Sequence, residues 1–310
     1  MVLKNYTLFI AGIGYLGYNL AKNYVDDGGN VVILTRYKSI VKRIDIYNRL
    51  RDLGVKIVGG REIDPSLALN VIDRYGVPND IYYLAGVVSG SKYYMRYVHG
   101  ELSHRIANRI FNRSGFRGRY IHISAYNTGY VLSSYVESKV YGEGLLKRLA
   151  QDGNNVVILR PGLLVGLYPP HPEWIQLYMI SKMGITLETG IYTGYTPIAE
   201  LYHFIKYLED KDIWLKDPID FTIYQEDIGF ITMVFTERLG IDNPVRLRLR
   251  KPDWIWKILP YTGRLGFIRN FLYPGRPPKP YTVFRLGYKP IYRLTDEIGK
   301  TLESLINTIG

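Results

Sequence analysis

The sequence predicts an α/β fold built on a doubly wound parallel sheet, followed by a smaller C-terminal region. Three observations predict it. Six apolar runs alternate with helical segments over the first 166 residues, a glycine-rich turn follows the first run, and the alternation stops at VGLYPPHPEW.

The runs are NYTLFIAG, NVVILT, GVKIVGG, DIYYLAG, RYIHIS and NNVVILRPG. They are continuous in Val, Ile, Leu and aromatics, which implies strands buried on both faces, as a parallel sheet covered by helices requires. Between them lie helical patterns: one to Asp27, KSIVKRIDIYNRLRDLG, LALNVIDRYG, one around LSHRIANRIFNR, and SSYVESKVYGEGLLKRLAQDG. This is the pattern of a Rossmann domain, expected over residues 1–166. Residues 167–310 read as a cap or substrate-binding region, with some segments returning to the sheet. Within it AELYHFIKYLED and DIGFITMVFTERLG are helical and VRLRLR alternates as an edge strand does. LTDEIGKTLESLINTI closes the chain as an amphipathic helix with an acidic first turn.

Composition narrows the function classes. With no cysteine the chain has no disulfide, thiolate metal site or cysteine nucleophile, and its five histidines include no metal-spaced pair. No run approaches the ~18 apolar residues of a membrane span. The opening MVLKNYTLFIAGIGYLG has glycines and no small-residue cleavage site, so it reads as a strand and turn rather than a leader, and a cytoplasmic location is expected. The net charge of +12 is concentrated: residues 244–293 hold twelve Lys and Arg against the lone acid Asp253. Such a field attracts phosphate groups, although a solvated basic face is the plainer alternative. Only that charge speaks for nucleic acid, and no recognition module accompanies it. In DWIWKILPYTGRLGFIRNFLY, aromatics and cations allow a peripheral membrane contact, a weaker alternative to a substrate lid.

The turn Gly12-Ile-Gly14-Tyr15-Leu16-Gly17 lies between the first strand and the first helix. Its first glycine permits a tight reversal, its second a close approach of backbone to pyrophosphate, and its third close packing of helix on strand. A dinucleotide is therefore the expected cofactor. The second strand ends in Arg36 and Lys38 where an NAD-preferring site usually has an acid, so NADP is expected, with NAD the alternative.

Tyr135 and Lys139 stand at i, i+4 on the helix before the sixth strand, hence on one helical face. The spacing alone means little, because the chain has 29 tyrosines and repeats it at Tyr18/Lys22 and Tyr207/Lys211. Setting separates the copies: only Tyr135/Lys139 follows a strand that ends in a serine, Ser124, at the carboxyl edge where open α/β sheets bind ligands. A nearby ammonium and a cationic nicotinamide ring are expected to lower the phenol's pKa and make Tyr135 an acid/base.

These motifs resemble the extended short-chain dehydrogenase/reductases, in particular the NAD(P)-dependent epimerase/dehydratase branch and its atypical relatives. The likeness rests on AGIGYLG, DIYYLAG, the strand-five serine, Tyr-x-x-x-Lys, ILRPGLLVG and the ending FRLGYKPIYRLTDEIGKTLESL. It implies that Ser124 positions a substrate oxygen, that Tyr135 is the acid/base and that Lys139 also holds the nicotinamide ribose. It further implies that Leu84, Ala85 and Gly86 line the cofactor, joined by Pro161 and Gly162. Departures mark an atypical member: Ala11 replaces a glycine, Arg61 or Glu62 stands where an acid contacts adenine, and an expected asparagine is missing near His99 and Gly100.

Dehydratases of the family carry an Asp-Glu pair after the active-site hydroxyl residue. Here Ala125, Tyr126 and Asn127 follow Ser124, which disfavours dehydration and leaves reduction or epimerisation of a small, phosphate-bearing molecule such as a nucleotide sugar. A non-catalytic cofactor-binding subunit is the alternative, and a homodimer is compatible with the family.

Overall fold

A computed structural model describes residues 3, 5–113, 115–126, 133–169, 172–248 and 281–309. Its centre is a parallel sheet of seven strands. β1 (Tyr6–Ile10) is flanked by β2 (Asn30–Arg36) and β4 (Asp80–Tyr83). β3 (Lys56–Gly60) lies beyond β2, and β5 (Arg119–Ile123) and β6 (Val156–Pro161) lie beyond β4. All six expected strands are present. The seventh, β10 (Ile219–Phe221), pairs parallel with β6 and is too short to show a pattern in sequence.

Alternate side chains of each strand serve two cores. Phe9, Val31 and Ile33 face one layer, with α1 (Tyr15–Asp26) and α9 (Ile198–Asp210). Leu8, Ile10, Val32 and Leu34 face the other, with α4 (Pro65–Tyr75), α6 (Leu102–Arg113) and α7 (Ser134–Gln151). Each such side chain contributes ~1.5–3 kcal/mol on burial, which explains runs apolar at every position. Because α9 and β10 build these layers, the chain returns to the sheet after residue 167.

The expected helix over KSIVKRIDIYNRLRDLG is two helices, α2 (Tyr37–Lys42) and α3 (Ile44–Asp52), broken at Arg43, whose φ of −132° and ψ of 48° leave the helical region. Tyr97–Glu101 form a π-helical turn between α5 (Lys92–Arg96) and α6.

Two small sheets follow. β7 (Leu163–Val165), β9 (Tyr192–Pro197) and β11 (Tyr224–Asp227) form one, β8 (Ile185–Glu188) and β12 (Val245–Arg248) the other. β12 is the expected alternating strand. A third core joins α8 (Pro172–Lys182), α10 (Phe230–Arg238) and α12 (Leu294–Ile309), while the short α11 (Tyr281–Arg285) reaches the sheet layer through Val283. The lid or membrane segment at 253–273, with most of the basic stretch, lies outside the described residues. No helix among the described residues is long and apolar enough to cross a membrane.

Candidate functional site

The strand order reverses at β1, so the loops after β1 and β4 part and leave a crevice at the carboxyl edge, where this fold binds ligands. Gly12, Gly14, Tyr15, Leu16, Gly17, Arg36, Leu84, Ala85, Gly86, Ser124, Pro161 and Gly162 all lie at this edge.

The glycine turn is shaped as its motif requires. A Cβ on Gly17 would fall 1.9 Å from the Gly12 carbonyl oxygen, so only glycine lets α1 approach β1. Ala11, in place of the additional glycine, takes a φ of 62°, in the left-handed region. No side chain caps α1 at Gly14, so the first amides of the helix are available to a phosphate. These features fit a dinucleotide. Tyr15 links the turn to the cap by donating its hydroxyl hydrogen to the Leu164 carbonyl at 3.2 Å.

Arg36 stands at the end of β2, 4.0 Å from Glu62. A second cation joins it: the Arg43 guanidinium donates to the Ile13 carbonyl at 2.5 Å, over Gly14. Partial burial and the nearby Arg36 lower its pKa. Arg43 was not legible as a site residue, because it reaches the turn only through the break between α2 and α3.

Ser133 caps α7 by accepting from the Val136 amide at 3.2 Å. Tyr135, Lys139 and Glu143 then follow at i, i+4 and i+8 on one face. Lys139 is buried, its ammonium donating to the Ile123 carbonyl at 2.9 Å and lying 5.8 Å from the centre of the Tyr135 ring. Burial lowers its pKa to about 8, against the pull of Glu143. Burial also pushes Tyr135 up to about 12. The loss of water around the phenol is the cause, opposite in direction to the lowering expected of the ammonium and a cationic ring together.

Ser124 is buried, and its hydroxyl donates to Glu143. The expectation that it orients a substrate oxygen meets this competing bond. Glu143, also buried, accepts from Arg160 through Nε at 2.9 Å and Nη2 at 2.6 Å, and Arg160 reaches Asp220 on β10 at 3.4 Å. The Glu143 signal was its eight-residue spacing from Tyr135. Gly162 permits close approach of β9, since a Cβ would lie 2.2 Å from the Gly194 carbonyl oxygen, and its amide donates to Thr196 Oγ1 at 3.0 Å. Any cofactor contact of Gly162 would therefore be made by other atoms than this engaged amide.

The loop after β4 rests on His99. The Leu84 amide donates to the Ile10 carbonyl at 2.9 Å, and Gly86 faces the His99 ring. The two other Tyr-x-x-x-Lys pairs have separate partners: Lys22 pairs with Asp26 at 2.6 Å and Tyr207 donates to the Leu286 carbonyl at 2.7 Å. A cavity of about 320 Å³ lined by Tyr47, Arg51, Lys56 and Tyr75 opens at the amino end of β3 and contains none of the candidate residues. Among the described residues no cluster of His, Asp or Glu is arranged to hold a metal.

Residues 88–203 match an NAD-binding family model described as Male sterility protein. No curated protein matches the chain. Solved structures share the fold over nearly its whole length. Gox2253 has a TM-score of 0.76 at 14% identity, covering 98% of this chain and 99% of its own. WbmG of Bordetella bronchiseptica, in complex with NAD, has 0.70 at 15% identity, covering 97% and 94%. UDP-glucose 4-epimerase of Thermotoga maritima, with UDP-glucose, has 0.68 at 12% identity, covering 98% and 100%.

Proposed function

We propose that this chain, whose fold, motifs and family-model match are those of the extended short-chain dehydrogenase/reductases, is an NADP(H)-dependent reductase or epimerase of an anionic carbonyl or hydroxyl compound. The observation that carries the reading is the Tyr135/Lys139 pair on one face of α7, Lys139 buried and Tyr135 half-buried, at the edge where the glycine turn opens. When bound, the nicotinamide supplies hydride chemistry. The first amides of α1, which no side chain caps, would hold the pyrophosphate of the nucleotide. Arg36 and Arg43 provide the positive charge that a 2′-phosphate needs and a 2′-hydroxyl does not.

Tyr135 works first as an acid. With its pKa raised to about 12 the phenol holds its proton at neutral pH and would give it to the oxygen of a substrate carbonyl undergoing reduction. The reverse step needs the phenolate, which Lys139 and a cationic ring both favour. A nucleotide sugar is the substrate class in view, in keeping with the UDP-glucose in the structure of the Thermotoga epimerase. The absence of an Asp-Glu pair after Ser124 speaks against dehydration.

A second reading, a nucleotide-binding subunit without turnover, draws on the engagement of Ser124 by Glu143. One experiment separates them. The purified chain is offered NADPH, NADP and NAD, retained nucleotide is identified by mass spectrometry, and UDP-sugars and small carbonyls are then screened for turnover. Retention of NADP(H) with turnover supports the enzyme, retention without turnover the subunit, and no retention removes both.

A further inference from the structure

His99 lies in the π-helical turn, fully buried, at the point where the loop after β4 meets α7. Its Nε2 accepts from the Val87 amide at 3.0 Å, and its Nδ1 lies 2.7 Å from Ser138 Oγ. A backbone amide can only donate, so Nε2 carries no proton and the neutral ring is protonated on Nδ1. Nδ1 then donates to Ser138, whose own hydroxyl donates to the Tyr135 carbonyl at 2.6 Å. Every proton in the chain Val87, His99, Ser138, Tyr135 has one direction. The ring also stands edge-on to Tyr135, with centroids 5.4 Å apart and planes at 84°.

The contact is built into the backbone. A Cβ on Gly142 would fall 2.2 Å from the His99 carbonyl oxygen, and one on Gly100 would fall 2.8 Å from the Tyr141 ring, so two glycines let the π-turn press against α7. A π-turn interrupts the regular helix and is often kept where function requires it. Burial, with Lys139 and His122 nearby, lowers the His99 pKa to about 2.

Resting on the nucleotide-binding reading above, we infer that His99 is a positioning residue that ties the cofactor-facing loop 84–87 to the Tyr135 helix through one fixed neutral tautomer. The ring has two arms, and each can be kept alone. In His99→Gln the amide stands near the place of Nε2 and keeps the Val87 arm. In His99→Asn it stands near the place of Nδ1 and keeps the Ser138 arm.

The test titrates NADPH by fluorescence into the full chain and both variants, and records the ring ¹⁵N signals of its five histidines. One signal, lost in both variants, should remain neutral and Nδ1-protonated from about pH 5.5 to about pH 8. His99→Asn should raise the NADPH Kd about tenfold, the loss of one well-placed hydrogen bond, while His99→Gln stays within about twofold. Equal shifts in the two variants, or an Nε2-protonated His99 in the wild type, would overturn the assignment while leaving nucleotide binding intact. Because the wild-type spectrum decides the tautomer, a variant that fails to fold does not shield the inference. A wild-type chain that binds neither NADPH nor NADH removes the underlying reading, and this one with it.

Discussion

Ser124 donates its hydroxyl hydrogen to Glu143, and both groups are buried beneath the Tyr135 helix. The same carboxylate accepts from Nε and Nη2 of the Arg160 guanidinium, so a serine just past β5, an acid on α7 and a base on β6 form one network. Removing one partner of a buried pair strands the other's charge. We expect Arg160→Met to cost about 3–5 kcal/mol in urea unfolding, and Glu143→Leu combined with Arg160→Met to cost far less. A loss below about 1 kcal/mol for the single variant would mean that water reaches the carboxylate.

Tyr135→Phe should abolish turnover and leave the NADPH Kd within about twofold, since the phenol hydroxyl is lost and the ring retained. Retained turnover would take Tyr135 out of the acid/base role.

Lys139 titrates near pH 8, against 10.5 for an exposed lysine. Between those values the unfolded chain binds a proton that the folded chain does not, so this group's contribution to stability rises with pH there. Tyr135 acts oppositely between 10 and about 12, where the folded chain keeps a proton the unfolded chain has lost and stability falls as pH rises. For binding, the ammonium matters: NADPH affinity should weaken as pH rises through about 8. In Lys139→Met the profile should be flat across that region, and an unchanged wild-type profile would separate Lys139 from the ribose.

Arg36→Ala and Arg43→Ala should each weaken NADPH about tenfold or more and NADH much less, as expected for charge-assisted bonds to a 2′-phosphate. Isothermal titration with both nucleotides measures this. Equal losses would assign the two arginines to the shared pyrophosphate or to the turn itself.

Gly142→Ala places a methyl against the His99 carbonyl. We expect a loss of about 1–3 kcal/mol in stability from overpacking and a weaker NADPH complex, because the π-turn must shift and carry His99 with it. Wild-type stability in this variant would show that the helices separate freely.

The six long strands were legible because burial on two faces demands apolar residues at every position, and NVVILT and NNVVILRPG satisfy it. The seventh strand was not, because its three residues belong to the sheet only through pairing with β6. The glycine turn and the Tyr135/Lys139 spacing were also legible, since both depend on residues within a few positions of one another. Local sequence thus determined six strands of the sheet, the glycine turn and the shared helical face of Tyr135 and Lys139. Tertiary structure alone decided that Arg43 reaches the turn, that Ser124 faces Glu143, that His99 braces Val87 and Ser138, and that burial raises the Tyr135 pKa. The reason is physical: each of these depends on which groups from distant segments exclude water around a polar atom, and neither periodicity nor spacing along one segment encodes that.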